Sequence, residues 1–220
     1  KSNFPWAFFR KNKGGIKLHT LLDHNGYLPS VVRITEAKVH EVQKARMLHL
    51  EKGAIVVFDK AYVDYDWFAQ LQENEVTFVT RLKSNTQYSV IHRNSVDDTQ
   101  GITSDQMIQL ESKPELALRR IGYKDPETGK HYKFLTNNFS LEAKTIADIY
   151  KERWEIETFF HWIKQNLKIK TFVGRSENAV LMQIYVALIL YLLLALLKFM
   201  SKARLSMQQM LQILQLNLFQ

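Results

Sequence analysis

Residues 54–59 read Ala-Ile-Val-Val-Phe-Asp, five apolar positions in a row that end on a carboxylate. A run this short and continuous fits a strand buried on both faces, as strands of parallel sheets are. Just upstream, residues 38–50 carry apolar side chains at 39, 42, 45, 48 and 50, a helical spacing, and Gly53 closes that helix. Downstream, residues 64–73 read as a second helix and residues 76–82 (VTFVTRL) as a second strand. Residues 16–23 (IKLHTLLD) and 27–35 (YLPSVVRIT) lie either side of an Asn25-Gly26 hairpin signal. The order β-β-α-β-α-β over the first 83 residues predicts an α/β fold.

Residues 84–139 change character, with Ser, Thr, Asn, Asp and Gln dominant. Strand candidates fall at 88–92, 116–123 and 131–136, and the DPETG turn at 125–129 separates the last two. A β-rich insertion is expected there. Ser140 suits a helix N-cap with Glu142 in the first turn, and no Gly or Pro interrupts a predicted helix over 141–167. Residues 179–197 (AVLMQIYVALILYLLLALL) carry no charge and are long enough to cross a bilayer, with Lys198, Lys202 and Arg204 behind them. The competing reading is a buried core helix. A last amphipathic helix is expected from about residue 206.

The 220 residues are 46% hydrophobic, enough for a real core. Lys and Arg number 30 against 22 Asp and Glu, a net charge of +8 that suits a polyanionic partner, nucleic acid or an anionic membrane surface. The absence of cysteine excludes disulfide scaffolds, zinc ribbons, iron–sulfur clusters and thiol nucleophiles. Pro5 and Arg10 interrupt the N-terminal apolar residues, which therefore do not form a signal peptide. The first residue is Lys1 rather than Met, and a fragment or processed product is expected.

Several side chains are candidates for chemistry. On a helix over 141–167, Tyr150, Arg153, Glu157, His161 and Lys164 fall within a stripe roughly 80° wide at about 100° per residue. Arg153 and Glu157 have a plain reading as an i,i+4 ion pair. The functional alternative is a metal-binding Glu beside phosphate-holding cations. Asp59 ends a buried strand, where open α/β sheets place their ligands; otherwise it is a loop carboxylate. Asp64 and Asp66 read as helix-capping residues and Asp23 as a turn residue. His19 is a packed core histidine or a neighbour of an active site, and His40 is solvent-facing or structural. Arg10, Lys11 and Lys13 precede Gly14-Gly15 in a basic loop, either solvated or in contact with phosphate.

Tyr150-x2-Arg153-x3-Glu157-x6-Lys164 resembles the Y-(2)-R-(3)-E-(6)-K signature of the IS4 family of insertion-sequence transposases, complete in residue type and spacing. The surrounding YKERWEIETFFHWIKQNLKIKTF, PWAFFRKNKGGIKLHT and VVFDKAYVD segments are similar too, so the resemblance covers nearly the whole chain. It implies an RNase H-like α/β core with a β-rich insertion and C-terminal helices. Residues 1–83 and 140–220 would be the two parts of the catalytic core, and 84–139 the insertion. Asp59 and Glu157 would be the second and third members of a DDE triad, holding Mg²⁺ with Mn²⁺ as a substitute. Tyr150, Arg153 and Lys164 would contact DNA, joined by Arg10, Lys11 and Lys13.

The family's first Asp lies upstream of the basic loop and has no counterpart in this sequence. A fragment lacking its first strand, inactive by itself, is therefore expected. The resemblance also implies cut-and-paste cleavage and strand transfer, with transposon ends and target DNA as partners. A homodimer on DNA, cytoplasmic and nucleoid-associated when bound, completes the expectation, with residues 179–197 a core helix rather than a membrane span. The alternative is a non-catalytic, DNA-binding relic.

Overall fold

The computed structural model describes residues 6–10, 13–37, 41–167, 172–202 and 204–218. In chain order the strands are β1 (Phe8–Arg10), β2 (Lys13–Gly14), β3 (Ile16–Asp23), β4 (Leu28–Glu36), β5 (Ile55–Val57), β6 (Thr77–Arg81), β7 (Tyr88–Arg93), β8 (Ile102–Leu110), β9 (Lys113–Lys124) and β10 (His131–Thr136). The helices are α1 (Glu41–Ala45), α2 (Tyr65–Glu73), α3 (Ala143–Glu152), α4 (Glu155–Asn166), α5 (Glu177–Ser201) and α6 (Met207–Leu218). They divide into two compact units, His40–Trp154 and Lys1–Val39 with Glu155–Gln220.

The His40–Trp154 unit is built on one six-stranded mixed sheet in the order β5-β6-β10-β9-β8-β7. β5 and β6 are parallel and every other pairing in this sheet is antiparallel. The apolar run at 54–58 is not buried on both faces as expected: β5 is an edge strand, Ile55 is exposed, and only Val56 and Phe58 of the run are buried. Strands from the segment read as a β-rich insertion thus hydrogen-bond into the same sheet as β5 and β6. Alternation along the strands makes two cores. Val56, Phe78, Leu135, Leu118 and Ile108 face one side, where Trp67, Phe68 and Leu71 of α2 pack. Val79, Phe134, Ile121 and Tyr123 face the other, against Ile146, Ala147 and Tyr150 of α3.

In the other unit, β3 and β4 form a hairpin whose register runs from Ile16 opposite Glu36 to Asp23 opposite Leu28. Asp23 closes the turn by accepting from Asn25 N–H at 2.8 Å, as its turn reading predicts. Gly26 adopts φ 90°, where a side chain would be strained. Leu18, Val32 and Ile34 of the hairpin pack with Phe159 and Ile163 of α4 and Val180, Ile184 and Leu188 of α5. His19 is 8% exposed and lies 2.9 Å from Thr35 Oγ1, the packed-histidine reading.

Four local expectations change. The helix expected over 38–50 and closed by Gly53 is only the short α1, which ends at Ala45. The helix expected over 141–167 is two helices. Arg153 N–H and Trp154 N–H bond to Tyr150 and Lys151 carbonyls, an i→i−3 tightening that ends α3, and α4 restarts at Glu155. Ser140 does not cap α3, which begins after Glu142. Asn138 Oδ1 instead accepts from Ser140 and Leu141 N–H at 3.0 and 2.8 Å. Finally β8 was unforeseen, because buried Asp105 and Gln106 break its apolar alternation.

Candidate active site

Asp59 is placed by the backbone before it. Phe58 N–H donates to Val79 O at 3.2 Å, and Phe58 O accepts from buried Thr80 Oγ1 at 2.9 Å. Both backbone polar groups of Phe58 are therefore pinned to β6. The Phe58 ring lies 4.8 Å from Trp67 and 5.8 Å from Phe68, centroid to centroid, so the core anchors the same residue. One residue further on, Asp59 leaves the strand and caps a short turn, Oδ1 accepting from Ala61 N–H at 3.0 Å.

The two-residue period decides what Asp59 meets. Val57 and Val79 face α3, so the positions two residues on, Asp59 and Arg81, emerge on that face too. Arg81 Nη2 donates to Asp59 Oδ2 at 3.0 Å, and each side chain is about one-third exposed. The Arg81 guanidinium carbon stands 5.8 Å from the centroid of the Tyr150 ring, and that of Arg153 stands 5.6 Å from it. Tyr150 is itself buried against Phe134, with ring centroids 4.8 Å apart. A carboxylate, two guanidiniums and an aromatic ring thus gather where β5 and β6 end.

Electrostatics follow from this set. Burial pushes the Asp59 carboxyl up. The Ala61 N–H, the Arg81 guanidinium and the more distant charge of Arg153 outweigh it and hold the group below the usual carboxylate range. Burial raises the Tyr150 phenol, so it stays neutral at physiological pH. Two cations against one carboxylate leave the cluster net positive. Arg81 Nε is also buried with no hydrogen-bond acceptor among the described residues. This set suits a phosphate better than a cation. As folded, it does not fit a divalent metal, since its one carboxylate already serves an arginine and a backbone N–H. Among the described residues no three metal-ligating side chains gather.

The other predicted residues lie elsewhere. Glu157 is in the first turn of α4 and Lys164 in its last, where each charge complements the helix dipole. With His161 they form an exposed stripe at i, i+4 and i+7, while Phe159 and Ile163 face the core. The spaced motif is therefore divided, with Tyr150 and Arg153 in one unit and Glu157 and Lys164 in the other. Asp64 caps α2, accepting from Trp67 N–H at 2.8 Å, and Asp66 pairs with Lys113 and Arg46. Arg10 and Lys13 pair across the β1–β2 ladder; their side chains, like Lys11 and His40, lie outside the described residues.

Arg81 is the residue that sequence reading missed. Its signal was a single charge at the end of an otherwise uncharged strand, beside the strand that leads into Asp59.

A family model described as a transposase DDE domain matches residues 4–193. A Sinorhizobium fredii protein named as transposase y4zB is 36% identical over 197 residues, covering 86% of this chain and 55% of the relative. A Geobacillus stearothermophilus protein, named as a transposase for insertion sequence element IS5377, is 32% identical over 200 residues. That match covers 88% of this chain and 52% of the relative. A Synechocystis protein named as a transposase for element IS4SA is 28% identical over 174 residues, 74% of this chain and 47% of the relative. The chain spans about half the length of these curated relatives.

Proposed function

This chain belongs to the transposase DDE-domain family, and on that premise we propose that its parent protein cleaves DNA at insertion-sequence ends and joins them to a target. The reaction is phosphodiester cleavage followed by strand transfer, dependent on Mg²⁺, with Mn²⁺ as a substitute. Asp59 and Glu157 are the proposed metal-holding carboxylates. On this reading, 1–83 and 140–220 are the RNase H-like catalytic core and 84–139 its β-rich insertion. Tyr150, Arg153 and Lys164, with the basic loop of Arg10, Lys11 and Lys13, hold the DNA backbone. The protein works in the cytoplasm, on DNA, as a homodimer.

The observation that supports the reading most directly is the cluster at Asp59. A carboxylate at the end of a parallel strand stands among Arg81, Tyr150 and Arg153, in a set whose net charge suits a phosphodiester.

The test uses the full natural protein and duplexes carrying the ends of its own element. Asp59→Ala and Glu157→Ala should each abolish Mg²⁺-dependent cleavage while duplex affinity stays within a few-fold of wild type. Cleavage surviving in either variant overturns that residue's role. A wild-type protein that binds the ends and never cuts them is the non-catalytic relic instead.

A further inference from the structure

Asp59 is proposed to hold a divalent ion, yet both of its oxygens are already engaged. Oδ1 accepts from Ala61 N–H and Oδ2 from Arg81 Nη2, each at 3.0 Å. The Ala61 N–H is neutral and orients the carboxylate, as a partner behind a metal ligand does. The guanidinium is different, because it sets a positive charge on the oxygen that the ion would need. Arg81 is also loosely held for so central a group. It is the last residue of β6, its side chain is 31% exposed, and its buried Nε has no acceptor among the described residues.

We propose that Arg81 is a positioning residue that reserves Asp59: without DNA it is the carboxylate's counter-ion, and a DNA phosphate draws it away and leaves Oδ2 open to the divalent ion. The inference rests on Asp59 as a metal-holding carboxylate and adds an order to that reading, DNA before metal.

Three features of the cluster support the exchange. A phosphate offers the planar guanidinium fork two oxygens, whereas Asp59 offers Arg81 only Oδ2, so the guanidinium gains bonds by moving. Arg153 stands at the same Tyr150 ring, 5.6 Å from its centroid against 5.8 Å for Arg81, and adds its charge to the attraction for the same anion. With both guanidiniums against one carboxylate, a divalent ion meets a net positive cluster; a phosphodiester cancels that excess. All four side chains belong to the His40–Trp154 unit, so the exchange needs no movement between units.

The test counts bound Mn²⁺ by electron paramagnetic resonance in the full natural protein, with Asp59→Asn as the background in every state. Without DNA, wild type should bind Mn²⁺ no more tightly than Asp59→Asn, and a duplex of the element's ends should add an Asp59-dependent site. Arg81→Gln should open that site without DNA, tightening Mn²⁺ binding about ten-fold or more, and adding Asp59→Asn should cancel the gain. A merely structural arginine would give no gain. Arg153→Gln removes an equal but more distant charge and should gain clearly less. Arg81→Met, which keeps the apolar stem, repeats the measurement if the Gln variant fails to fold. An Asp59-dependent site in the DNA-free wild type, no gain in a folded Arg81 variant, or an equal gain in Arg153→Gln overturns the proposal. Those outcomes leave the catalytic reading standing as long as Asp59→Ala abolishes cleavage. A wild type that cuts its ends with no Asp59-dependent site in either state overturns both.

Discussion

Arg81 holds Asp59 in a way that a titration of the Asp59 carboxyl can test. With its carboxyl below the ordinary range, Asp59 stabilises the fold above the unfolded pKa of about 3.9, and that contribution is lost as pH falls through the lowered value. Arg81→Gln removes a hydrogen bond and a charge that favour the carboxylate. The Asp59 carboxyl should then titrate at higher pH, read by carbon NMR of the side-chain carboxyl. The variant's stability should also change less steeply with pH below about 4. An Asp59 titration unmoved by Arg81→Gln would show that the pair is not formed in solution. At this scale sequence was half sufficient. A carboxylate closing an apolar run is visible in one strand, whereas its partner comes from a neighbouring strand whose register no local pattern encodes.

Among the elements, β8 and β9 are joined by a buried ion pair. Arg119 Nε and Nη2 each donate to Asp105 at 2.8 Å, with both side chains 7% exposed. Arg119 Nη1 also donates to Leu141 O at 2.5 Å, tying the sheet to the approach of α3. Asp105→Ala strands a buried guanidinium and should cost about 3–5 kcal/mol in denaturant unfolding. The double replacement Asp105→Leu with Arg119→Met should cost clearly less than the single change, since no charge is left unpaired. The same pair explains why β8 was illegible. A polar residue in a strand counts against burial until its partner 14 residues away is known. The break between α3 and α4 was hidden differently. No Gly or Pro marks it, and apolar periodicity continues on both sides of Arg153 and Trp154.

For the molecule as a whole, the excess of eight positive charges predicts salt-sensitive DNA binding. Affinity for any duplex should fall as salt rises, and Lys164→Ala should lower the slope of log affinity against log salt by about one. A slope near zero would remove the basic surface from the account.

The division into units yields a second prediction at this scale. His40–Trp154 is one uninterrupted stretch of chain, and it owns both faces of its six-stranded sheet. The remaining unit is assembled from two segments distant in sequence, so the loop between them must close before its core can form. Local signals found the strands at 54–58 and 76–82 and the long helix at 179–197, because unbroken or nearly unbroken apolar runs mark them. The boundary at Trp154 left no such mark, since it is set by which long-range contacts each side makes. Residues 40–154 expressed alone should therefore unfold in one cooperative denaturant transition. The Asp59 carboxyl should titrate there as in the longer chain, because Arg81, Tyr150 and Arg153 all come with it. Non-cooperative unfolding, or an Asp59 returned to the ordinary carboxylate range, would mean that the cluster depends on the rest of the molecule.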